Sequence, residues 1–247
     1  MNKEKISVLI PAFNEEEKII TTITETINVL EQLKIEYEII IIDDGSVDST
    51  HELVSINISN FNNKVKIKRY ERNKGKGFAI RDGFIFATGD YVLFLDADMD
   101  LHPSQIELFL KLMRENKADV VIGSKRHNES VVNYPLIRKI LSNGYYFLIK
   151  ILFGLPVKDT QTGLKLFRYE VLKNNISKLI INRYAFDLEL LVILHKQGYH
   201  IIECPIYLKP TRRYYNRIGS KDIYHIFTDT IAIFCRFHFT KYYQQKL

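Results

Sequence analysis

The sequence contains few cysteines and no long, uninterrupted apolar segment. Its two cysteines, Cys204 and Cys235, lie far apart in the 247 residues. This spacing predicts neither a disulfide framework nor a cysteine zinc site, and it favours a reducing, cytoplasmic setting. A run of about 18 apolar residues, the length that spans a bilayer, is absent from the sequence, so we expect no transmembrane helix. The amino-terminal residues meet acids and a proline early, which argues against a signal peptide.

Other absences narrow the classes of function. The sequence has no internal repeat, no low-complexity tract and no GxxxxGK[ST] spacing, which excludes a P-loop. Its net charge of +6 is compatible with anionic partners of several kinds. The basic residues interleave with acids, and no readout helix or RNP-like motif is present, so we expect phosphorylated small molecules or a membrane surface and no nucleic acid.

The first half of the chain alternates strand-like and helix-like segments. With 46% hydrophobic and 26% charged residues, the composition is that of a globular protein. The predicted strands are Ile6–Ile10, Glu38–Ile42, Val65–Tyr70, Tyr91–Leu95 and Val120–Ile122. The predicted helices are Glu15–Leu33, Ser49–Ile58, Gly77–Ala87 and Pro103–Glu115. This alternation predicts an α/β fold with a mostly parallel sheet covered by helices on both faces.

The alternation weakens after about residue 133. The segment Tyr134–Leu155 is apolar and basic, and Phe186–Gln197 has a helical pattern. The tail Lys221–Tyr243 mixes aliphatic and aromatic residues with scattered charges. It fits two interpretations equally well: a helix lying in a membrane interface, or a terminal helix packed on its own domain. We therefore predict one domain over residues 1–220 and an amphipathic helix over residues 221–247.

Chemically rich segments follow three of the predicted strands. PAFNE (Pro11–Glu15) follows the first strand, DDGS (Asp43–Ser46) follows the second, and DAD (Asp96–Asp98) follows the fourth. Because open α/β sheets bind ligands beyond the carboxyl ends of their strands, we expect the three loops to share one pocket. Each also has a structural interpretation, with Asn14 capping a helix and Asp–Gly forming a turn. RNKGKG (Arg72–Gly77) is either a solvated basic turn or an anion site at a helix start.

Three acids alternate in LFLDADMD, at Asp96, Asp98 and Asp100. In extended backbone they would point the same way, and such crowding requires a nearby positive charge. Oxygen ligands without His or Cys favour a hard divalent ion, Mg²⁺ or Mn²⁺. Mg²⁺ is usually held by one or two carboxylates together with substrate phosphates, so a diphosphate is the expected third party. The following residues lack the spacing of an EF-hand.

Taken together and in order, these motifs resemble the family 2 glycosyltransferases with a GT-A fold. The likeness is closer to the polyprenyl-phosphate branch, which comprises the dolichyl-phosphate glucose and mannose synthases. It extends from Ile6 to about Lys221. The segments that carry it are IPAFNEEEKI, IIIDDGSVDST, NKGKGFAIRDGFIFATGDYVLFLDAD, VVIGSK, DTQTGLKLFR and AFDLELL. The resemblance makes residues 1–220 the catalytic domain.

The resemblance also implies roles for residues on the donor side. Nucleotide-base and ribose contacts fall on Pro11, Phe13, Glu15 and Asp44. Lys76 would face the donor diphosphate, Asp96 would contact the nucleotide, and Asp98 would be the principal metal ligand. Asp100 stands where the family often has Gln, and it is the second predicted ligand of Mg²⁺ or Mn²⁺.

Further roles fall on the acceptor side. Lys125 stands where the branch commonly has Arg, and the neighbouring Arg126 is a candidate to compensate for the missing guanidinium. Basic positions that would hold the acceptor phosphate or close over the donor are Arg138, Arg217 and Lys221. The acceptor-side loop would contain Asp159, Gln161 and Gly163, and the helix facing the sugar would carry Asp187 and Glu189.

The resemblance implies an inverting hexosyltransferase that moves a sugar from a nucleotide donor to a polyprenyl or dolichyl phosphate. UDP-glucose is favoured as donor over GDP-mannose. One alternative is a family 2 transferase with a sugar-hydroxyl acceptor, for which Asp187 is the candidate base. Another is a non-catalytic nucleotide-sugar-binding subunit. We expect a peripheral protein at the cytoplasmic face of a membrane, and a separate membrane subunit is a possible partner.

Overall fold

The computed structural model describes residues 4–132, 136–209, 219–240 and 242–243, without the side chains of residues 136–141 and 220. The strands in these ranges are β1 (Lys5–Ala12), β2 (Glu36–Asp43), β3 (Val65–Arg69), β4 (Tyr91–Phe94), β5 (Val120–Ser124), β6 (Val131–Val132), β7 (Lys165–Arg168), β8 (Ile201–Pro205) and β9 (Tyr207–Leu208). The α-helices are α1 (Ile19–Gln32), α2 (Thr50–Asn57), α3 (Lys76–Gly83), α4 (Ile106–Glu115), α5 (Leu136–Phe153), α6 (Tyr169–Lys173), α7 (Phe186–Lys196) and α8 (Ser220–His238).

Seven strands form the central sheet in the order β3-β2-β1-β4-β7-β5-β8. Strand β7 is antiparallel to both of its neighbours, and the other neighbouring strands are parallel. The predicted α/β fold with a mostly parallel sheet is therefore confirmed. The short strands β6 and β9 form a separate parallel pair.

The sheet is buried on both faces. In β2, four consecutive isoleucines are at most 1% exposed. Because side chains alternate along a strand, Ile40 and Ile42 enter the core on one face while Ile39 and Ile41 enter the core on the other. Strands covered on both faces are continuously apolar, which explains why this segment was readily predicted.

Some predicted helix boundaries were wrong. The helix predicted from Glu15 begins at Ile19, and the helix predicted from Pro103 begins at Ile106 after a short 3₁₀ turn. Asn14 has φ +55° and does not cap α1. The acids before α1 therefore belong to a loop at the carboxyl end of β1.

Helix α8 packs beside α5 and follows the same direction. The Tyr145 hydroxyl lies 3.1 Å from Oγ1 of Thr230, and the Phe153 ring packs edge-on against Phe234. Ile233 is fully buried in the same core. The tail thus has one face on the domain. Across the described ranges, the model contains no helix with the length and apolar character needed to cross a membrane.

Candidate active site

The loops after β1 and β2 are tied together by side chains. The backbone N–H of Asn14 donates to Oγ of Ser46 at 2.9 Å, and Oδ1 of Asn14 accepts from the N–H of Val47 at 2.9 Å. Next to it, the N–H of Glu15 donates to Oγ1 of Thr50 at 2.8 Å. Asn14 thus joins two loops, because its left-handed backbone turns the chain toward β2.

The loop after β2 holds the glycine-rich loop in turn. Asp44 is 3% exposed, and its two carboxylate oxygens accept the backbone N–H groups of Lys74 and Gly75, each at 2.8 Å. Burial raises the pKa of Asp44, although the two N–H groups oppose the shift. The resemblance gave Asp44 a nucleotide contact, and that role stays a prediction. What the geometry adds is that Asp44 fixes the start of α3, where Lys76 lies.

Lys76 supplies the positive charge that the sequence predicts near the alternating acids. Its Nζ lies 2.5 Å from Oδ1 of Asp96, so the glycine-rich loop after β3 meets the segment after β4. Because Asn14 and Asp44 tie the loops after β1 and β2 to the same place, all three predicted segments lie at one edge of the sheet. A pocket shared by them stays a prediction. Burial by itself would lower the pKa of Lys76, but Asp96 and Asp187, with a smaller contribution from Asp98, raise it above its ordinary value. Lys76 is therefore a fully charged cation among carboxylates.

The backbone after β4 does not continue as a strand. The strand ends at Phe94, residues 97–100 form a turn, and Met99 has φ +62°. Oδ1 of Asp98 accepts the N–H of Asp100 at 2.9 Å, as in an Asx turn. The premise of an extended backbone through the three acids was wrong, because the turn at residues 97–100 and the left-handed backbone of Met99 interrupt the strand geometry.

The residues present fit a hard divalent ion. Asp96, Asp98 and Asp100 are partly exposed carboxylates on one short segment. In the part of the chain that the structure describes, no three acidic, histidine or cysteine side chains are arranged as a complete cage. One or two carboxylates with the remaining positions left for phosphate oxygens is the usual arrangement for Mg²⁺. The donor set therefore suits an ion that is shared with a diphosphate.

A buried ion pair adjoins this edge. Lys165 is 1% exposed, its Nζ lies 2.7 Å from Oδ1 of Asp187, and it also donates to the carbonyl of Thr162. Burial lowers the pKa of Lys165, while Asp187 opposes the shift. The sequence interpretation missed Lys165 as a site residue. The available signal was a lysine between Leu164 and Leu166 in an otherwise apolar segment.

Lys165 reaches the site because β7 runs antiparallel. As the first residue of β7 it pairs with Phe94, the last residue of β4, and with Ile122 of β5. An antiparallel strand places its amino end at the carboxyl ends of its neighbours. Sequence spacing alone did not reveal this reversal.

A third lysine–aspartate pair lies at the end of β5. Oδ2 of Asp159 accepts the N–H of Lys125 at 3.0 Å and lies 3.3 Å from its Nζ, and Oδ1 accepts the N–H of Gln161 at 3.0 Å. Burial would raise the pKa of Asp159, but Lys125 and the hydrogen bonds lower it. A Cβ added to Gly163 would lie 1.8 Å from Oδ2 of Asp96, so a side chain at this position would displace the Asp96 carboxylate. We call the pairs the lysine–aspartate network: Lys76–Asp96, Lys125–Asp159 and Lys165–Asp187.

Arg126 faces α5. Its guanidinium donates to Oδ1 of Asn143 at 2.5 Å and to Oγ of Ser142 at 2.8 Å, and it lies over the Tyr146 ring. It therefore anchors α5 in the way that bidentate, stacked arginines do. Beside it is an open cleft between α5 and the loop at residues 157–161. The lining includes Lys125, Arg126, Tyr145, Tyr146, Lys158 and Gln161.

The remaining predicted residues are divided between the site, the surface and the interior. Pro11 and Phe13 lie at the end of β1, and Phe13 is an aromatic with 43% exposure. Lys221 is exposed in the first turn of α8. The side chain of Arg138 and the whole of Arg217 lie outside the described residues. Glu189 is fully buried and bonds to Ile180, Ile181 and Tyr243, and the expectation that its helix faces the sugar stays a prediction.

Comparison with solved structures identifies the fold. Glucosyl-3-phosphoglycerate synthase from Mycobacterium tuberculosis, in complex with Mn²⁺, UDP-glucose and phosphoglyceric acid, superposes with a TM-score of 0.68 at 19% identity, covering 94% of this chain and 79% of that one. Mannosyl-3-phosphoglycerate synthase from Rubrobacter xylanophilus gives a TM-score of 0.70 at 15% identity, covering 94% and 73%. At these identities the likeness shows the fold, which is GT-A.

Sequence comparison identifies the family. The dolichyl-phosphate beta-glucosyltransferase of Dictyostelium discoideum is 33% identical over 215 residues, 81% of this chain and 65% of the relative. The human and Saccharomyces cerevisiae proteins of the same name are 32% and 33% identical, covering 77% and 81% of this chain. The chain spans 63–66% of the length of these relatives. The model of Glycosyl transferase family 2 matches residues 7–176, and the chain belongs to that family.

Proposed function

We propose that this protein transfers glucose from UDP-glucose to a polyprenyl or dolichyl phosphate, with inversion, to give a β-linked lipid phosphoglucose. The lysine–aspartate network carries the proposal, because it brings Lys76, Lys125 and Lys165 to one edge of the sheet. Cations in this number suit a reaction in which both substrates carry phosphate. The names of the relatives support dolichyl phosphate as acceptor and glucose as the sugar.

On the donor side, the leaving nucleoside diphosphate gains negative charge as the glycosidic bond breaks. Lys76 is already positioned by Asp44 and Asp96, so it stabilises that charge without reorganising. Asp98 and Asp100 would hold Mg²⁺ or Mn²⁺, with Asp96 adjoining. When bound, the ion supplies further neutralisation of the diphosphate. Phe13 is exposed at the end of β1, where an aromatic ring can flank the base.

On the acceptor side, the cleft beside α5 presents Lys125 and Lys158 next to Tyr145 and Tyr146. A phosphate monoester has a second pKa of about 6, so at neutral pH it attacks as an anion and needs no general base. Asp187, the base that a hydroxyl acceptor would require, has one oxygen 2.7 Å from the buried ammonium of Lys165. This pairing favours the phosphate acceptor over the sugar hydroxyl.

The lipid acceptor implies contact with a bilayer, and α5 and α8 offer the surface. Phe147 and Ile151 of α5 are 60% and 81% exposed, and Tyr224 and Phe227 of α8 are 65% and 51% exposed. Lys150 is exposed on the same α5 helix. Since α5 also lines the cleft, the lipid chain can leave the cleft toward this surface. We propose that the surface contacts the cytoplasmic face of a membrane peripherally. The separate membrane subunit stays a prediction.

The test is transfer of labelled sugar to polyprenyl phosphate. Purified protein receives UDP-glucose or GDP-mannose with Mg²⁺ or Mn²⁺, and label is scored in the organic phase and checked for release by mild acid. Asp98→Asn should abolish transfer. Asp90→Asn is the matched control, because Asp90 precedes the same strand at its opposite end and bonds to the N–H of Lys5.

Each outcome assigns a function. Acid-labile lipid label from UDP-glucose that is lost only in Asp98→Asn supports the proposal, whereas label from GDP-mannose alone changes the sugar. Both donors binding without lipid label would favour the hydroxyl-acceptor transferase, with an acid-stable product. Binding without turnover on any acceptor would favour a nucleotide-sugar-binding subunit.

A further inference from the structure

The loop that carries Lys76 is held on its second side by the segment 179–186, which ends at the first residue of α7. A Cβ at Gly75 would lie 2.3 Å from the carbonyl oxygen of Asn182, and one at Gly77 would lie 2.7 Å from that of Ile181. The N–H of Phe78 donates to the carbonyl of Asn182 at 3.1 Å. The glycine loop and this segment are therefore in backbone contact on both sides of Lys76.

Arg81 of α3 strengthens the same contact. Its guanidinium donates to the carbonyl of Leu179 at 2.9 Å and to Oδ1 of Asn182 at 2.6 Å. A planar guanidinium that bridges two positions of one segment fixes the orientation of that segment as well as its distance. Any displacement of the segment 179–186 thus has to move α3 and its first residue, Lys76.

Glu189 determines where the segment lies. Its Oε2 accepts the backbone N–H groups of Ile180 and Ile181, at 2.9 and 2.8 Å. Its Oε1 accepts the Tyr243 hydroxyl at 2.6 Å and lies 3.6 Å from Nη2 of Arg236 in α8. The carboxylate is fully buried, so these donors are what makes its burial tolerable.

The hydrogen bonds and the ion pair described for Glu189 do not reach the lysine–aspartate network. Residues two apart on a helix point in different directions, and here Asp187 faces Lys165 while Glu189 faces the chain's tail. A buried carboxylate that accepts three hydrogen bonds and faces the Arg236 guanidinium, located between the tail and the segment 179–186, is well suited to hold the two together.

We propose that Glu189 is a positioning residue for the donor diphosphate. By fixing the segment 179–186, it sets the place of the loop Gly75–Gly77 and therefore of Lys76 relative to Asp96. Through Tyr243 it links that geometry to the carboxyl-terminal part of the chain. The inference rests on the proposed function only for the identity of the diphosphate.

The test compares Glu189→Met with Glu189→Gln. Methionine fills a similar volume but leaves the N–H groups of Ile180 and Ile181 unpaired, whereas glutamine keeps an acceptor oxygen for them. Glu38→Met is the matched control, because Glu38 is also buried and hydrogen-bonded but lies at the other end of the sheet. The Glu38→Met variant shows what a loss of stability alone does to the loop Gly75–Gly77.

Two readouts are measured on the full chain. Hydrogen–deuterium exchange, without ligand, follows the peptide 73–78, and titration compares UDP with UMP. In Glu189→Met we expect exchange in this peptide to rise about tenfold and the preference for UDP over UMP to fall about tenfold, with UMP binding unchanged. Glu189→Gln and Glu38→Met should leave both readouts within about twofold of the wild type.

The outcomes separate this inference from the proposed function. Unchanged exchange in Glu189→Met, or an equal rise in Glu38→Met, would overturn the positioning role. A wild-type protein that does not prefer UDP over UMP would instead count against the donor assignment, and the exchange measurement would still decide the role of Glu189. If Glu189→Met does not fold, Tyr243→Phe, which removes a single hydroxyl donor, should raise the exchange of the peptide 73–78 in the same direction, and no rise would refute the link.

Discussion

Both ends of the central sheet bury charged groups, but they do so differently. At the amino end, Glu38 is 5% exposed and accepts hydrogen bonds from Ser7, from Thr88 and from Lys66 at 2.7–2.9 Å. Burial would raise the pKa of Glu38, yet these hydrogen bonds lower it to about 2. At the carboxyl end, the lysine–aspartate network contains three ion pairs, and two of their lysines, Lys76 and Lys125, remain partly exposed.

The difference shows that burial and pairing of charge do not by themselves indicate a functional site. The hydrogen bonds of Glu38 join it to Ser7, Thr88 and Lys66, and none of these residues lines the cleft beside α5. In the network, each lysine lies within ion-pair distance of an acid, and the cleft beside α5 opens next to Lys125. The partly exposed ammonium groups of Lys76 and Lys125 can exchange their partners for phosphate oxygens, whereas the buried, saturated cluster around Glu38 stabilises the fold.

The largest expected effect is on stability at the carboxyl end. Lys165→Met leaves the carboxylate of Asp187, whose side chain is 5% exposed, without its ammonium partner. We expect the free energy of unfolding in urea to fall by about 3–5 kcal/mol, and Lys165→Met combined with Asp187→Leu to recover much of the loss. Lys66→Met at the amino end should cost less than about 1 kcal/mol, because Lys66 is 53% exposed. Equal losses of unfolding free energy in Lys165→Met and Lys66→Met would contradict the difference between the two ends of the sheet.

The next effect is on catalysis. Lys76→Met should lower the turnover of sugar transfer by about 100- to 1,000-fold, as expected for removal of one preorganised charge from a developing anion. Lys74→Met is the matched control on the same loop, because its ammonium lies over the rings of Tyr70 and Phe78, 4.6 and 4.7 Å from their centroids. Steady-state rates at saturating donor decide the outcome. Similar losses in both variants would indicate a general effect of loop charge.

An acid titration tests the saturated cluster. The folded-state pKa of Glu38 is about 2, below its ordinary value of 4.5, so its stabilisation is complete above pH 4.5 and is lost as the pH falls toward 2. We expect this group to contribute about 2 kcal/mol to the fall in the free energy of unfolding across that window. Glu38→Gln should show a flatter profile there and wild-type sugar transfer at neutral pH. If the free energy of unfolding of Glu38→Gln fell as steeply with pH as that of the wild type, Glu38 would not be the group responsible.

The smallest effect concerns the surface of α5. Ile151 is 81% exposed, so Ile151→Ser should change the free energy of unfolding by no more than about 0.5 kcal/mol. If the side chain enters a bilayer, its loss should weaken co-sedimentation with anionic vesicles about tenfold. Ile56→Ser on α2, where Ile56 is 66% exposed, is the matched control and should not alter binding. Equal binding by both variants would exclude α5 from the membrane contact.

Much of the site at the ends of β1, β2 and β4 was predictable because it depends on local order in the chain. Each strand of the first half is a short apolar segment. Asp43 and Asp96, directly after Ile42 and Leu95, and Glu15, three residues after Ala12, lie at the edge where parallel strands end. The meeting of Lys76 with Asp96 follows from that rule. The directions of Asp98 and Asp100 did not follow, because the turn at Met99 depends on backbone angles that an alternating pattern does not encode.

The part of the site around β7 was less predictable because it depends on a reversal of direction. In the sequence, Lys165 is a single lysine among apolar residues, and only the antiparallel insertion of β7 between β4 and β5 places it beside Asp187. Glu189 lies two residues after Asp187 in the sequence. The helix turns it toward Tyr243, which lies 54 residues away along the chain.

The sequence by itself determined the α/β layering, the parallel core strands and the identity of the acids at their ends, because these follow from periodicity and from the chemistry of adjacent residues. The tertiary structure decided which cation meets which acid and which acids serve the fold instead of the site. Such pairings depend on strand order, strand direction and backbone turns, which bring residues such as Gly163 and Asp96 into contact across 67 positions of the chain. A local sequence pattern does not show which residues so far apart in the chain come together in the fold.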